Sequence, residues 1–208
     1  MIKAVIFDID GVLVDSIEAN YKFLGDLMKK YGYGFMTREE YSPLFHAPMK
    51  DIIRLSTKST DEEEIKKIWQ SGKIREVPYP DELLRIPEGL EEIIKSLSKD
   101  YTLGIVTERS RSGIYSISHL GQLKQFFTMD VSYEDTLEHK PHPAPLLLAS
   151  LKLGIPPEEC VYVGDSEVDM LAAKAAGMKT IKFSGDIFRD ADANISDFSN
   201  LIETISSL

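Results

Sequence analysis

Short apolar runs alternate with longer amphipathic segments along most of this chain. Runs rich in β-branched and aromatic residues cover Ala4–Phe7, Thr102–Val106 and Cys160–Val163, and each ends in polar residues or glycine. Continuous apolar runs of this length are typical of strands that are buried on both faces, as in a parallel sheet. Weaker strand patterns cover Met129–Ser132 and Thr180–Phe183.

Helical spacing of apolar residues separates these runs. It is clearest at Leu90–Leu97, Ala144–Leu153 and Val168–Ala176. Strands that alternate with helices predict an α/β fold built on a doubly wound parallel sheet. Such sheets bind ligands beyond the carboxyl ends of their strands. The residues that directly follow the apolar runs are therefore the first candidates for chemistry.

One stretch breaks the alternation. Residues 16–81 show helical patterns and no convincing strand pattern, with candidate helices at Ala19–Met28, Glu39–Phe45, Met49–Leu55 and Asp61–Trp69. Two prolines, Pro78 and Pro80, then stiffen the chain and stop helices. We therefore predict an inserted all-helical domain at 16–81, within an α/β core made of 1–15 and 82–208. The aromatic residues near 31–35 and Trp69 are expected in the core of the insert.

Composition narrows the class of protein. The chain has 208 residues, of which 43% are hydrophobic, and a net charge of −10. An acidic chain is repelled by nucleic acid and by anionic membranes, which leaves a small molecule as the expected partner. Asp8 interrupts any signal-peptide core, and a single cysteine, Cys160, allows no disulfide within the chain, so a cytoplasmic location is expected. A monomer and a homodimer both remain open.

Two aspartates follow the first apolar run, in the order Asp8, Ile9, Asp10, Gly11. Two carboxylates held together can bind a hard cation such as Mg²⁺, or divide the roles of nucleophile and acid/base. Gly11 allows a sharp turn and close approach to a ligand. A capped turn is the structural alternative.

Two more aspartates, Asp165 and Asp169, follow the Cys160–Val163 run. If a helix begins near Ser166, residues four apart share its face. These side chains would then point to the same place. The structural alternatives are a helix N-cap for Asp165 and a surface charge for Asp169.

Lys140 and Thr107 supply complementary chemistry. Lys140 precedes a proline at a predicted loop-to-helix junction, and its ammonium suits a carboxylate pair or a phosphate, although most lysines are solvated surface residues. Thr107 ends the second apolar run, where its hydroxyl and nearby amides can bind phosphate oxygens. His139 and His142 are expected on the loop surface.

Taken together, these motifs in this order resemble the haloacid dehalogenase (HAD) superfamily, over nearly the whole chain. The closest resemblance is to the subfamily with a helical cap inserted after the first motif, which includes phosphoglycolate phosphatases. The resemblance implies a Mg²⁺-dependent phosphatase acting on a small phosphorylated metabolite, with phosphoglycolate as the first candidate. Pyrophosphate and nucleoside monophosphates are other candidate substrates.

The resemblance also implies roles in the reaction. Asp8 would be the nucleophile that forms an aspartyl phosphate. Asp10 would protonate the leaving alcohol and then activate water. Thr107 would bind the transferring phosphoryl group, and Lys140 would neutralise Asp8 and the phosphate.

The same resemblance implies a metal site and a lid. Asp165 would ligate Mg²⁺ together with Asp8 and the backbone carbonyl of Asp10. Asp169 would complete the acidic site. The helical insert would exclude water and select the substrate.

The second motif departs from the usual family pattern. It reads Thr107-Glu108 and is still expected to form part of the phosphate-binding segment. An acidic side chain beside a phosphate is repulsive, so Glu108 must point away or be paired, with Arg109 and Arg111 as the expected partners.

In the insert, Lys50 is the basic residue expected to contact the distal group of the substrate. His46 and Arg54 are weaker candidates for that contact. The alternative is a solvated surface lysine.

Two other functions use similar motifs. A sugar-phosphate mutase such as β-phosphoglucomutase shares them, and net phosphate release separates a phosphatase from a mutase. A non-catalytic phosphoacceptor, such as a signalling receiver domain, also combines acidic residues with Thr and Lys on a doubly wound sheet. The position of Asp8 directly after the first strand, followed by a helical insert, argues against the receiver.

Overall fold

The apolar runs of the sequence form the strands of one parallel sheet in the computed structural model, which describes residues 1–183 and 185–208. The strand order in the sheet is β3-β2-β1-β4-β5-β6, and every neighbouring pair is parallel. The predicted α/β fold class is confirmed. The strands are β1 Ala4–Phe7, β2 Thr102–Val106, β3 Phe127–Val131, β4 Cys160–Gly164, β5 Lys179–Phe183 and β6 Ala193–Ile195.

The register of the central strands positions the candidate chemistry. Phe7 of β1 pairs with Ile105 of β2 on one side and with Val163 of β4 on the other. The carboxyl ends of these three strands are therefore level with one another. The segments that follow them leave the sheet side by side, at the edge where parallel sheets bind ligands.

Helices flank the sheet and make up the insert. Leu90–Leu97 and Ala144–Leu153 have the predicted bounds, while the helix predicted at Val168–Ala176 begins one residue earlier. Three short helices at 111–114, 118–123 and 201–207 were not predicted, because four to seven residues are too few for a clear periodicity. The helices are α1 Ile17–Lys30, α2 Arg38–Tyr41, α3 Met49–Thr57, α4 Glu62–Lys73, α5 Leu90–Leu97, α6 Arg111–Ile114, α7 Ser118–Leu123, α8 Ala144–Leu153, α9 Glu167–Ala176 and α10 Leu201–Ser207.

The chain divides into two compact units, Met1–Asp15 with Ile86–Leu208, and Ser16–Arg85. The sequence pattern predicts the second boundary between residues 81 and 82. The helical unit also includes the 3₁₀ turn Asp81–Leu83, which contacts α1. No helix among the described residues has both the length and the apolar character required to cross a membrane.

The sheet unit buries a core between β1, β4 and the helices α8 and α9. Three alanines of α9 lie in this core and allow the helix backbone to approach the sheet closely. The buried residues of this cluster are Ala4, Ile6, Val106, Val131, Leu146, Ala149, Cys160, Tyr162, Met170, Ala172, Ala173, Ala176 and Met178.

The helical unit has its own core, formed by α1, α3 and α4 with an aromatic cluster around Tyr41. Trp69 and the aromatic residues near 31–35 pack against it, as predicted. The helix predicted at Glu39–Phe45 is instead α2 followed by a 3₁₀ turn at Ser42–Leu44, because Pro43 cannot continue the α-helical hydrogen bonds.

Candidate active site

Three neighbouring strands each end in a polar residue. Asp8 follows β1, and its amide donates to the carbonyl oxygen of Val163 at 2.9 Å. Thr107 follows β2, and its amide donates to Val131 at 3.0 Å. Asp165 follows β4. The hydrogen bonds of the sheet thus continue one residue past the strands and fix the backbone under the first two of these side chains.

Asp8, Asp165 and Asp169 form a carboxylate cluster. One oxygen from each lies within 4.8 Å of the others. Asp169 reaches the cluster from the first turn of α9, where its amide donates to the Ser166 hydroxyl at 3.1 Å and the hydroxyl donates back to its carboxylate at 2.6 Å. Ser166, and not Asp165, is therefore the helix cap, and Asp169 is fully buried instead of a surface charge.

Lys140 lies against this cluster. Its ammonium donates to Asp169 Oδ1 at 2.6 Å and to the Tyr162 hydroxyl at 3.1 Å, and it is 3.3 Å from Asp8 Oδ2. Its side chain is 3% exposed, so the solvated-lysine alternative is wrong. The sequence gives no sign of Tyr162 as a partner, because a tyrosine in an apolar run reads as a core residue.

The cluster brings three carboxyl groups together with one ammonium. Burial raises the pKa of Asp8, and Asp169 and Asp10 raise it further, while Lys140 opposes them. Burial also raises the pKa of Asp165, with Asp169 and Asp8 adding to the effect. Burial alone would lower the pKa of Lys140, but Asp169 and Asp8 keep it well above its ordinary value. One ammonium among these carboxylates leaves room for further positive charge.

Two observations show that the cluster suits a hard divalent cation. Asp8 Oδ1 is buried and has no hydrogen-bond partner among the residues that the structure describes. Gly11 has a left-handed backbone with φ +79°, and a Cβ at that position would overlap the Asp165 carboxylate. The missing side chain therefore makes room for Asp165. A donor set of carboxylate oxygens is the kind that Mg²⁺ binds.

Asp10 stands apart from the three clustered carboxylates. Arg109 binds it with two hydrogen bonds, Nε to Oδ2 at 2.7 Å and Nη2 to Oδ1 at 2.6 Å. Both side chains are mostly buried, and this bidentate pairing is a strong form of the Arg–carboxylate interaction. The Asp10 carboxylate is therefore not a member of the metal-binding group, which leaves only its backbone carbonyl for that predicted role.

A family model described as haloacid dehalogenase-like hydrolase matches residues 5–183. The chain belongs to this family. The match runs from β1 to β5 and includes all of the strand ends described above. The prediction of an HAD-family phosphatase is confirmed at this level.

Known relatives cover the whole of this HAD hydrolase. Pyrophosphatase PpaX of Bacillus cereus strain AH820 is 29% identical over an alignment of 215 residues, which covers 100% of this chain and 98% of the relative. The solved HAD-superfamily hydrolase, subfamily IA, variant 1, of Geobacter sulfurreducens is 29% identical with a TM-score of 0.77, covering 98% of this chain and 99% of that one. CbbY of Rhodobacter sphaeroides, solved with phosphate, shares the fold at 24% identity and a TM-score of 0.84, covering 97% and 96%.

Glu108 of this HAD hydrolase supports the segment that carries Lys140. Its Oε1 accepts a hydrogen bond from the Lys140 amide at 3.2 Å, and its Oε2 is 3.7 Å from His139 Nδ1. The expected pairing with Arg109 or Arg111 is wrong. His139 is also not a plain surface residue, since its side chain is 22% exposed. A place for Glu108 in the phosphate-binding segment stays a prediction.

Lys50 lies in the helical unit, at the start of α3. Its ammonium is 3.8 Å from Glu62, and Arg54 on the same helix binds Glu62 at 3.1 Å and Asp51 at 2.7 Å. Both basic residues thus have acidic neighbours within their own unit, and His46 packs edge-on against the Phe45 ring. A contact between Lys50 and the substrate stays a prediction.

Proposed function

We propose that this HAD hydrolase is a Mg²⁺-dependent phosphatase of a small phosphorylated metabolite, with Asp8 as its nucleophile. The observation that carries the proposal is the group formed by buried Asp8, Asp169 and Lys140 with half-buried Asp165, at the carboxyl ends of β1 and β4. An excess of carboxylates in a buried site lowers the stability of the folded state. We therefore expect such a group only where a function requires it. Binding of a cation and transfer of a phosphoryl group provide that function.

The residues of the chain divide the reaction between them. One oxygen of Asp8 forms a bond to phosphorus as the bond to the leaving group breaks, which gives an aspartyl phosphate. Lys140 orients Asp8 and offsets charge on the phosphoryl oxygens. The Thr107 hydroxyl accepts from the Arg109 amide at 3.2 Å, which leaves its proton for a phosphoryl oxygen. Water then attacks phosphorus, passes a proton to Asp10 and releases phosphate from Asp8.

The metal would be held by Asp8 and Asp165, with the backbone carbonyl of Asp10. Both oxygens of Asp169 already accept hydrogen bonds, from Lys140 and from Ser166. Asp169 therefore supports the site more than it coordinates. Bound Mg²⁺ would neutralise charge on the transferring phosphoryl group.

For the substrate, we favour pyrophosphate over phosphoglycolate. The name of the Bacillus cereus relative supports this choice. Arg109 gives a physical reason, because its N–H groups donate to both oxygens of Asp10. A carboxylate bound in this way has no proton to give to a leaving group, although its remaining lone pairs can still accept one from water. Phosphate leaves readily as an anion, whereas an alkoxide such as that of glycolate needs a proton from a general acid. A firmly held Asp10 thus disfavours alcohol leaving groups.

The acidic net charge and the single buried cysteine, Cys160, support a cytoplasmic setting with a small-molecule substrate. They do not distinguish a monomer from a homodimer. Gel filtration with light scattering on the purified chain would decide between these two states.

The test is phosphate release from a substrate panel, with Mg²⁺ and with EDTA. The panel contains pyrophosphate, phosphoglycolate, sugar phosphates and nucleoside monophosphates. We expect release that requires Mg²⁺, is fastest with pyrophosphate and is lost in Asp8→Asn. Glu167→Gln is the matched control, because Glu167 is an exposed acidic residue in the same turn as Asp169.

Two results would contradict the proposal. Phosphate release that survives in Asp8→Asn would show that another residue or a contaminant is the nucleophile. If no member of the panel releases phosphate, the proposed phosphatase function is wrong. An aspartyl phosphate trapped at Asp8 without turnover would then indicate a mutase or a phosphoacceptor.

A further inference from the structure

Tyr162 is a buried polar side chain that the reaction described above does not use. It lies in the middle of β4, is fully buried, and has its hydroxyl beneath the Lys140 ammonium. We propose that the Tyr162 hydroxyl positions Lys140 for phosphoryl transfer. This inference rests on the proposed function, because it concerns the positioning of Lys140, which has a role in that reaction.

The hydroxyl joins three segments that carry site residues. It donates its proton to the carbonyl oxygen of Val106 at 3.1 Å or to Asp169 Oδ1 at 3.3 Å. Its oxygen accepts from Lys140 Nζ at 3.1 Å. Val106 is the last residue of β2, directly before Thr107. One neutral group thus links the end of β2, the first turn of α9 and the Lys140 segment.

The three donors of the Lys140 ammonium explain why a neutral partner matters. Two of them face the carboxylates of Asp169 and Asp8, at 2.6 and 3.3 Å. The third faces the Tyr162 hydroxyl. A lysine is a flexible point charge, so it needs three contacts to be fixed in place. A third carboxylate would neutralise charge that the phosphoryl group needs, whereas a phenol fixes the ammonium without doing so.

The contact to Asp169 is the shorter of the two ion pairs. Without the hydroxyl, we expect the ammonium to keep its contact with Asp169 and to move away from Asp8. The distance that increases is the one on which the reaction depends. Tyr162→Phe also leaves Val106 O with one partner fewer in the core, but this second effect acts on stability and not on the chemical step.

The first test compares Tyr162→Phe with Ser150→Ala in steady-state phosphate release from pyrophosphate. Ser150 is a matched control, because it is a buried hydroxyl of the same unit that donates to a backbone carbonyl, that of Ile155 at 2.6 Å. We expect kcat of Tyr162→Phe to fall roughly tenfold to one-hundredfold, as for a lost hydrogen bond to a charged group, with KM within about threefold. Ser150→Ala should keep the wild-type kcat.

A merely structural role would give another pattern. If kcat of Tyr162→Phe stays within about twofold of wild type, or falls no further than in Ser150→Ala, the positioning role is refuted. A rise in KM with unchanged kcat would refute it as well. If Tyr162→Phe does not fold, 3,5-difluorotyrosine placed at position 162 keeps the shape and weakens the oxygen as an acceptor, and kcat should still fall.

The crystal structure of Tyr162→Phe separates this inference from the proposed function. If the wild-type protein releases no phosphate from any substrate, the proposed function fails, and the position of Lys140 Nζ still decides the inference. Displacement of Nζ away from Asp8 supports it. Retention of both carboxylate contacts in the variant overturns it.

Discussion

Gly11→Ala tests whether the Asp165 carboxylate occupies the position that the chemistry requires. Gly11 has φ +79°, and a Cβ added there would overlap the Asp165 carboxylate group. The substitution therefore has two effects. It strains the backbone, and it pushes one carboxylate of the cluster away from the others.

The two effects can be separated with Gly154→Ala. Gly154 caps α8 with φ +66°, and a Cβ there would meet nothing within 4 Å. An alanine in the left-handed region costs about 1 kcal/mol in the free energy of unfolding, and both variants should lose this amount. Gly11→Ala should lose further unfolding free energy, because its Cβ also overlaps the Asp165 carboxylate. A displacement of about 1 Å at a reacting site can reduce the rate about a hundredfold, so its kcat should fall by that order.

The assay has three readouts for wild type and both variants. They are the free energy of unfolding in urea, kcat for phosphate release, and the rise in urea midpoint that Mg²⁺ causes. We expect Gly154→Ala to change only the first, and Gly11→Ala to change all three. Full activity and an unchanged Mg²⁺ effect in Gly11→Ala would refute the placement of the Asp165 carboxylate or its role.

Three further predictions follow from the site and its surroundings. Asp165→Asn should abolish most of the rise in urea midpoint that Mg²⁺ gives the wild type, because metal that binds only the folded state stabilises by linkage. Arg109→Gln should raise the ratio of kcat/KM for phosphoglycolate to that for pyrophosphate by roughly tenfold, because Arg109 binds both oxygens of the acid/base carboxylate. Arg111→Gln should leave the ratio unchanged, because Arg111 binds Asp130 instead. Burial would raise the pKa of Asp135, but hydrogen bonds from Ser132 outweigh it and keep the pKa low. Asp135→Asn should therefore lose about 1 kcal/mol of unfolding free energy at pH 7, and the gap to wild type should close as the pH falls below about 4.

Each of these has a clear contrary result. An equal Mg²⁺ effect in Asp165→Asn would place the metal elsewhere. An unchanged substrate ratio in Arg109→Gln would remove the physical reason for favouring pyrophosphate. A stability gap for Asp135→Asn that is constant from pH 7 to acid would mean that the carboxylate charge contributes nothing.

The strand ends of the site were predictable because the signals are local. Apolar runs mark β1, β2 and β4 within the chain, and the polar residue after each run is read directly from the sequence. Parallel strands then bring these residues to one edge, so Asp8, Thr107 and Asp165 could be placed near one another without any long-range information. Resemblance to a family supplied the roles.

The partners of those residues were not predictable. Arg109 and Asp10 are 99 residues apart, and nothing local distinguishes their pairing from one between Arg109 and Glu108. In the sequence, Tyr162 looks like any other residue of a buried strand. Its contact with Lys140 is visible only in the folded structure. The short strand β6 was missed for another reason, since its three residues carry no apolar pattern.

The register of the central strand has a consequence for the order of folding. The segment that ends in the nucleophile comes first in the chain, yet its neighbours pair through residues near 102 and 160. At about 5–20 residues per second, a ribosome would need on the order of ten seconds or more to supply the second neighbour. The helical unit, continuous from Ser16 to Arg85, is complete well before then. During synthesis β1 therefore has no neighbour until β2 leaves the ribosome and only one until β4 follows, and we expect chaperone binding at Ala4–Phe7 during this interval.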